Sequence, residues 1–364
     1  MIILVACDKF KDSISAEQAV NAITNGLMEK YPYASIIQLP MADGGDGSLD
    51  IIQKYLPGKM ISVATQNALG ESITAEYFIH NQTAYIELTS ASGLAQLPAD
   101  QRNPTNTSTY GTGLLFKNAV EKGAKKIVLM LGGSSTNDAG LGIAEALGFN
   151  FYNSQNELLF PIGKNLVKID KITGPTAPID FALEMYCDVT NPLHGPNGAT
   201  HVFAKQKGAN NEDIELLEAG LINVASKIDQ YSGKEISNIS GGGAAGGIAA
   251  GLYGLLDGKI KNGFDAISKI TNIEEKIKEA DLVISGEGKL DTQSLHGKVV
   301  GEIAKLCDKY SKKHIVFVGK NVLTPSQIKQ HKIHKVYEIL SLANEEEAMK
   351  NAQNYLTQLA SSIR

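Results

Sequence analysis

The sequence predicts an α/β protein of two domains, in which a discontinuous parallel-sheet domain is interrupted by an inserted, mixed α/β domain. Three observations predict it. The chain has 364 residues, about two domains at roughly 150 residues each. Both ends of the chain carry β-α-β patterns, and the long middle is patterned differently, with hairpin-like strands and Gly-rich turns. The expected division gives residues 1–62 and 277–364 to the first domain and 63–276 to the insertion.

Residues 2–6 form a short β-rich apolar run, followed by a polar loop over 7–14. Ser15 stands three residues before Gln18, the spacing of a capping box, so a helix should start there. Ala19, Val20, Ile23 and Leu27 then recur at helical spacing up to Lys30, before Tyr31 and Pro32. Residues 35–39 read as the next strand, and the right-handed crossover makes the two strands parallel. At the other end, 282–285 and 315–318 read as strands around a helix over 295–306, with a last helix over 344–359. In the middle, 61–88 reads as a hairpin region, 113–122 and 139–147 as helices, and 127–131 and 185–187 as strands. Residues 174–180 are Pro-rich and irregular, and 213–231 is a helix by the spacing of Ile214, Leu217, Leu221, Val224 and Ile228.

Composition excludes several functions. Lys plus Arg number 34 against 39 for Asp plus Glu, a net charge of −5 without any basic stripe. That argues against nucleic acid or an anionic membrane surface as partner, while a small anionic substrate needs only a few local cations. Hydrophobic residues make up 43% and charged residues 20%, the balance of a folded chain rather than a disordered one. The three cysteines, Cys7, Cys187 and Cys307, are far apart and lack metal-type spacing, which suits a reducing compartment. The opening apolar run is too short for a signal-peptide core, so the expected location is the cytoplasm. Residues 239–256 carry no charge, with Gly243, Gly247 and Gly251 at the spacing of a transmembrane contact face. They are mostly Gly and Ala, which supply little transfer free energy, so a buried, closely packed helix is expected.

In parallel α/β sheets, ligands bind outside the carboxyl ends of the strands. Asp8, Lys9 and Lys11 follow the first strand, and Asp43 and Asp46 sit among glycines after the second. Glu287, Lys289 and Asp291 follow the strand at 282–285, and Lys320 the one at 315–318. Ordinary strand-helix turns need one Gly or Asn and a cap. Four loops of carboxylates and lysines on one edge therefore point to a site, with Asp8, Asp43 and Glu287 expected to converge. An N-cap role competes for Asp46.

The insertion has its own candidate in Gly132, Gly133, Ser134, Ser135, Thr136, Asn137 and Asp138, lying between a strand and a helix. Consecutive glycines and hydroxyl residues can form a nest of N–H donors for phosphate, and Asp138 at the helix start could face a cation. Asp188 begins a loop stiffened by Pro192 and Pro196, which suits a catalytic or metal-binding carboxylate or a structural Asx turn. Residues 241–246 match the dinucleotide template G-x-G-x-x-G, with Asp265 downstream. The preceding segment is too polar for the strand that template needs. No G-x-x-x-x-G-K-[ST] or G-x-S-x-G is present, which removes a Walker-type nucleotide site and acyl transfer. His296, ahead of Gly297 and Lys298, reads either as a cap or as a substrate contact, and His331 and His334 as solvated surface.

Several blocks together resemble one known family. They are Asp8-Lys9-Phe10-Lys11, Pro40 through Gly47, Thr107 through Gly113, Gly132 through Gly140, Cys187 through Gly198, Gln206-Lys207-Gly208-Ala209, Gly241 through Gly247 and Ala280 through Lys298. Their order and content resemble the type I glycerate kinase family. The family usually has Pro at Cys7, Gly at Asp12 and Glu at Asp46.

The resemblance implies a flavodoxin-like first domain and transfer of the γ-phosphoryl group of ATP, with Mg²⁺, to a hydroxyl of D-glycerate. The product would be 2-phosphoglycerate ahead of 3-phosphoglycerate. Phosphoryl transfer is mainly positioning and charge neutralisation. On that basis Asp43, Asp188 and Lys9 are the expected catalytic residues. Asp8, Lys11, Asp46, Glu287, Lys289 and Asp291 are expected at the substrate, Gly132, Gly133, Ser134, Ser135 and Asn137 around the ATP phosphates, and Asp138 or Asp188 at the metal. The rival readings are an NAD-dependent oxidoreductase using the Gly241 turn, and a binding protein for a hydroxy acid.

Overall fold

The computed structural model describes residues 1–295 and 297–363. His296 lies outside the described residues. The strands in chain order are β1 (Ile2–Cys7), β2 (Ser35–Gln38), β3 (Lys59–Gln66), β4 (Ser72–His80), β5 (Thr83–Glu87), β6 (Lys126–Met130) and β7 (Asn150–Tyr152). They continue with β8 (Lys171–Thr173), β9 (Ala182–Cys187), β10 (Lys259–Asn262), β11 (Leu282–Leu290), β12 (Lys313–Asn321) and β13 (Lys335–Glu338). The backbone divides into two units, Met1–Tyr55 with Asn262–Arg364, and Leu56–Lys261.

The first unit is built on a sheet of order β2-β1-β11-β12-β13, parallel throughout. Renumbered within the unit this is 2-1-3-4-5, the flavodoxin-like order, whose topological switch point lies between β1 and β11. Alternate side chains of β12 feed opposite faces. Ile315 and Phe317 join Ile3, Val5, Ile23 and Leu356 on one side, and Val316 and Val318 join Leu290 and Val300 on the other. Ser15 caps the helix Ala16–Lys30 through the expected reciprocal bonds with Gln18. That helix meets the last helix so closely that a Cβ on Gly26 would lie 2.1 Å from the Thr357 carbonyl oxygen.

β11, β12, β13 and the last helix differ from the sequence reading. β11 and β12 run on past the expected loops, through the pairs Glu287 with Val318 and Leu290 with Asn321. The polar, Gly-rich sequence hides this. A Cβ on Gly286 would lie 2.5 Å from the Phe317 carbonyl, so glycine is what lets the ladder close. The last helix is broken at Asn351 into Glu345–Lys350 and Ala352–Ser361. β13 is a short, half-buried edge strand in a segment that reads as surface.

The second unit has a mixed sheet of order β10-β9-β6-β5-β4-β3. β3, β4 and β5 are antiparallel, whereas β5, β6 and β9 are parallel. Tyr77, Phe116, Ile127 and Phe151 lie in its single large core. The helix Ala244–Leu256 is buried there, and a Cβ on Gly251 would sit 1.9 Å from the Ala139 carbonyl oxygen. Its glycines therefore serve close backbone packing, and no helix among the described residues is long and apolar enough to cross a membrane.

Candidate functional site

In the first unit the parallel strands deliver their loops to one edge, and β1 and β11 place Asp8 and Glu287 side by side at the switch point. The Asp8 N–H donates to the Gly286 carbonyl (2.9 Å), just past the pairing of Cys7 with Gly286. Asp43 follows β2 in an Asx turn, its Oδ1 accepting from the Gly45 N–H at 3.0 Å. The Asp43 charge acts on both Asp8 and Glu287, and the Glu287 charge on Asp8. Burial raises the Asp8 carboxyl well above the usual range, the Asp43 and Glu287 charges add to this, and the Lys9 N–H, 2.7 Å from Oδ1, opposes it. Burial also pushes Glu287 up to about 7, against the pull of Ser294 and Lys298, with Asp291 and Asp43 adding to the rise. Glu287 Oε1 is buried with no hydrogen-bond partner.

The other expected residues of this edge are placed as follows. Lys9 Nζ pairs with the Asp46 carboxylate and donates to the Asp46 carbonyl at 2.7 Å. Lys11 and Lys289 are exposed, and Lys289 Nζ lies 3.3 Å from Asp291. Asp291 Oδ1 accepts the Gln293 N–H at 2.9 Å. Burial pulls its carboxyl upward, but these N–H groups and Lys289 hold it below its usual range. A Cβ on Gly288 would lie 3.1 Å from the Lys11 nitrogen, which shows how closely the segment after Asp8 passes β11.

In the second unit, β6 and β9 bring the loop 131–140 and Asp188 to one edge. Gly133 is exposed at the tip with φ 59°, whereas Ser134, Ser135, Thr136, Asn137 and Asp138 are buried. Ser135 Oγ donates to the Ser92 carbonyl (2.9 Å). Asp138 accepts four bonds: from the Thr109 N–H and hydroxyl, each 2.7 Å, and from the Gly140 (3.2 Å) and Gly142 (3.3 Å) N–H groups. Burial still raises its carboxyl. Asn137 is fully buried, and neither its Oδ1 nor its Nδ2 has a partner. Asp188 is half-buried. Among the described residues no group of three or more His, Cys, Asp or Glu side chains is arranged to hold a metal.

Two residues carry geometry that the sequence reading did not assign. Thr109 braces Asp138 and lies in the Thr107 to Gly113 block, which was its only signal. Lys207 is 3% exposed, and its ammonium donates to Ser134 Oγ at 2.6 Å and the Thr136 carbonyl at 2.7 Å. Burial drives it down to about 7, with only the Asp138 charge opposing. Burial of a lysine leaves no mark in a sequence, and the neighbouring Lys205 and Gln206 are exposed.

A flavodoxin-like sheet with carboxylates at its switch point, together with a second edge carrying a buried ammonium under a Ser-rich loop, defines an α/β enzyme acting on small polar, anionic molecules. The comparisons narrow the class. The model of the glycerate kinase family matches residues 3–364. A glycerate kinase of Halalkalibacterium halodurans is 37% identical, covering 99% of this chain and 97% of its own. A glycerate 2-kinase of Escherichia coli is 36% identical, covering 100% and 97%. A crystal structure of a candidate glycerate kinase 2 from Salmonella typhimurium LT2 superposes with a TM-score of 0.80 at 34% identity, covering 99% of this chain and 96% of that one. The chain belongs to the glycerate kinase family.

Proposed function

We propose that the protein is a type I glycerate kinase of the cytoplasm that moves the γ-phosphoryl group of ATP to the 2-hydroxyl of D-glycerate, giving 2-phosphoglycerate. The observation that carries the site assignment is the cluster of Asp8, Asp43 and Glu287 at the β1/β11 switch point, with Glu287 Oε1 left unbonded. Carboxylates accept from hydroxyls, so this cluster suits the two hydroxyl groups of glycerate, and Asp43 is the group to orient the attacking oxygen and take its proton. Lys9, Lys11 and Lys289 supply positive charge for the substrate carboxylate. Asp46 and Asp291 hold Lys9 and Lys289 in place.

Gly132, Gly133, Ser134, Ser135 and Asn137 serve the ATP phosphates. Mg²⁺, which neutralises phosphate charge when bound, fits the half-buried Asp188 better than Asp138, which is fully buried and already takes three donors on Oδ2 and one on Oδ1. Asp138 instead fixes the loop to Thr109. The two compact units serve as the discontinuous and inserted domains. Three free, buried thiols agree with a reducing compartment.

Phosphorus NMR of a reaction with ATP, Mg²⁺ and D-glycerate tests the reading. The expected spectrum gains ADP and 2-phosphoglycerate. A 3-phosphoglycerate signal would refute the choice of hydroxyl, and unconsumed ATP would refute the activity.

A further inference from the structure

Lys207 has only the Asp138 charge acting to offset its own, and that carboxylate forms no ion pair with it. Among the described residues no carboxylate pairs with it, and its two hydrogen bonds go to a neutral hydroxyl and a neutral carbonyl. Burying an ammonium without an ion pair is costly, and an ammonium has three donors, of which these bonds use two. Thr136, whose carbonyl it holds, is joined by a peptide bond to Asn137, the fully buried residue whose amide has no partner on either atom. Unsatisfied buried polar groups in one place call for an explanation, and a ligand supplies it.

The backbone behind them is also unusual. Ala245, Gly246 and Gly247 at the start of the following buried helix all take left-handed φ values of 54°, 76° and 89°. Gly246 is pressed against the loop, where a Cβ would lie 2.1 Å from the Thr136 carbonyl. A left-handed conformation is unfavourable at the non-glycine Ala245 and persists only where its surroundings fix it. Here it seats the helix start against Thr136 and Asn137.

From this geometry we propose that Lys207, with Ser134 and Asn137, forms an occluded anion site that takes a phosphoryl group of the nucleotide, Lys207 supplying the charge and Asn137 the directional hydrogen bonds. This rests on the reading that the loop after β6 meets ATP phosphates, and goes beyond it by naming the charge that receives them. A neutral Ser-rich loop would bind phosphate through dipoles alone. The buried ammonium adds a full charge in a low-dielectric setting, where it is worth far more than on the surface.

The test is calorimetric titration of the full chain with ADP at pH 8, in buffers of different ionisation enthalpy. With its ammonium at about 7, Lys207 is about nine-tenths neutral at that pH, and an anion that holds it charged makes binding take up about 0.9 proton. Lys207→Met should abolish that uptake and weaken ADP at least about thirtyfold. Asn137→Ala guards against misfolding of the first variant. It deletes an amide with no partner in the free protein, so Tm should hold or rise while ADP affinity falls about tenfold. ADP affinity within threefold of wild type in either folded variant, or binding without proton uptake by the wild type, would overturn the proposal. Phosphoryl transfer is assayed separately. Its absence would end the kinase reading, while the ADP titration alone judges this site.

Discussion

Replacing Asp138 by Asn distinguishes a structural brace from a metal ligand, because the two roles predict opposite signs. The carboxylate lies buried, with Oδ2 accepting from Thr109 N–H, Thr109 Oγ1 and Gly142 N–H, and Oδ1 from Gly140 N–H. An amide must turn its NH₂ towards one of these sets. The cheaper choice puts it against Gly140, losing one bond and facing donor with donor, at about 1–3 kcal/mol. The other three bonds fall from charge-assisted to neutral strength, about 1 kcal/mol each. Relief from desolvating a buried carboxylate, whose titration burial has raised, offsets part of this. A net loss of about 3 kcal/mol is expected, which lowers Tm by roughly 6–12 °C for a cooperative unit of about 200 residues. Differential scanning calorimetry without added metal reads it. A carboxylate waiting for a cation would be relieved by amidation, so an unchanged or higher Tm for Asp138→Asn would refute the brace.

Asp43→Asn should reduce kcat at least about a hundredfold with Tm nearly unchanged, since the side chain's one backbone bond, from Gly45, can be kept by the amide oxygen; a coupled ADP assay beside a thermal melt checks it. Glu287 titrates at 4.5 when solvated and at about 7 when folded, so the native state holds the extra proton. Its stabilising contribution is full below pH 4.5 and lost as pH rises through 7, a swing of about 3 kcal/mol. Glu287→Gln should therefore raise Tm relative to wild type at pH 8 and leave it almost unchanged at pH 4.5, and a constant difference between the two pH values would contradict this. Gly251→Ala drives a methyl to 1.9 Å from the Ala139 carbonyl oxygen. Such overpacking against backbone should cost about 3 kcal/mol or more, seen as loss of soluble expression or a lowered urea midpoint.

What was legible in the sequence was what repeats or caps. Ser15 and Gln18 announce a helix start, and Ala19, Val20, Ile23 and Leu27 its buried face, because both follow from local geometry. Asp8, Asp43 and Glu287 were legible as a group because strand ends in a parallel sheet share an edge, so three unrelated loops could be assigned to one place. β11 and β12 were read short because Gly286, Gly288 and Gly319 look like turn residues, yet here they let two backbones approach. Lys207 stood in one of the resembling blocks, but its burial and contacts could not be read, for a different reason. Its meaning lies in burial beneath a loop some seventy positions earlier, and no periodicity links the two.

The two edges solve opposite charge problems, and that opposition limits which ligand each can take. At the β1/β11 switch point, burial and neighbouring carboxylates raise the Asp8 and Glu287 carboxyls, so a phosphate there would bring further negative charge against them. A hydroxyl donor adds none and satisfies Glu287 Oε1. At the edge after β6, a buried ammonium without an ion pair lies under the loop that carries an unbonded amide, and a glycerate hydroxyl would leave that charge uncompensated. On the proposed reading, the phosphates go to Lys207 and the hydroxyl that receives the phosphoryl group goes to Asp43. Removing each ionisable group in turn separates these assignments: Lys207→Met should raise KM for ATP and spare KM for glycerate, whereas Glu287→Gln should alter KM for glycerate and spare that for ATP. Steady-state kinetics with each substrate varied in turn reads both, and a crossed pattern would reverse the assignment of the two edges.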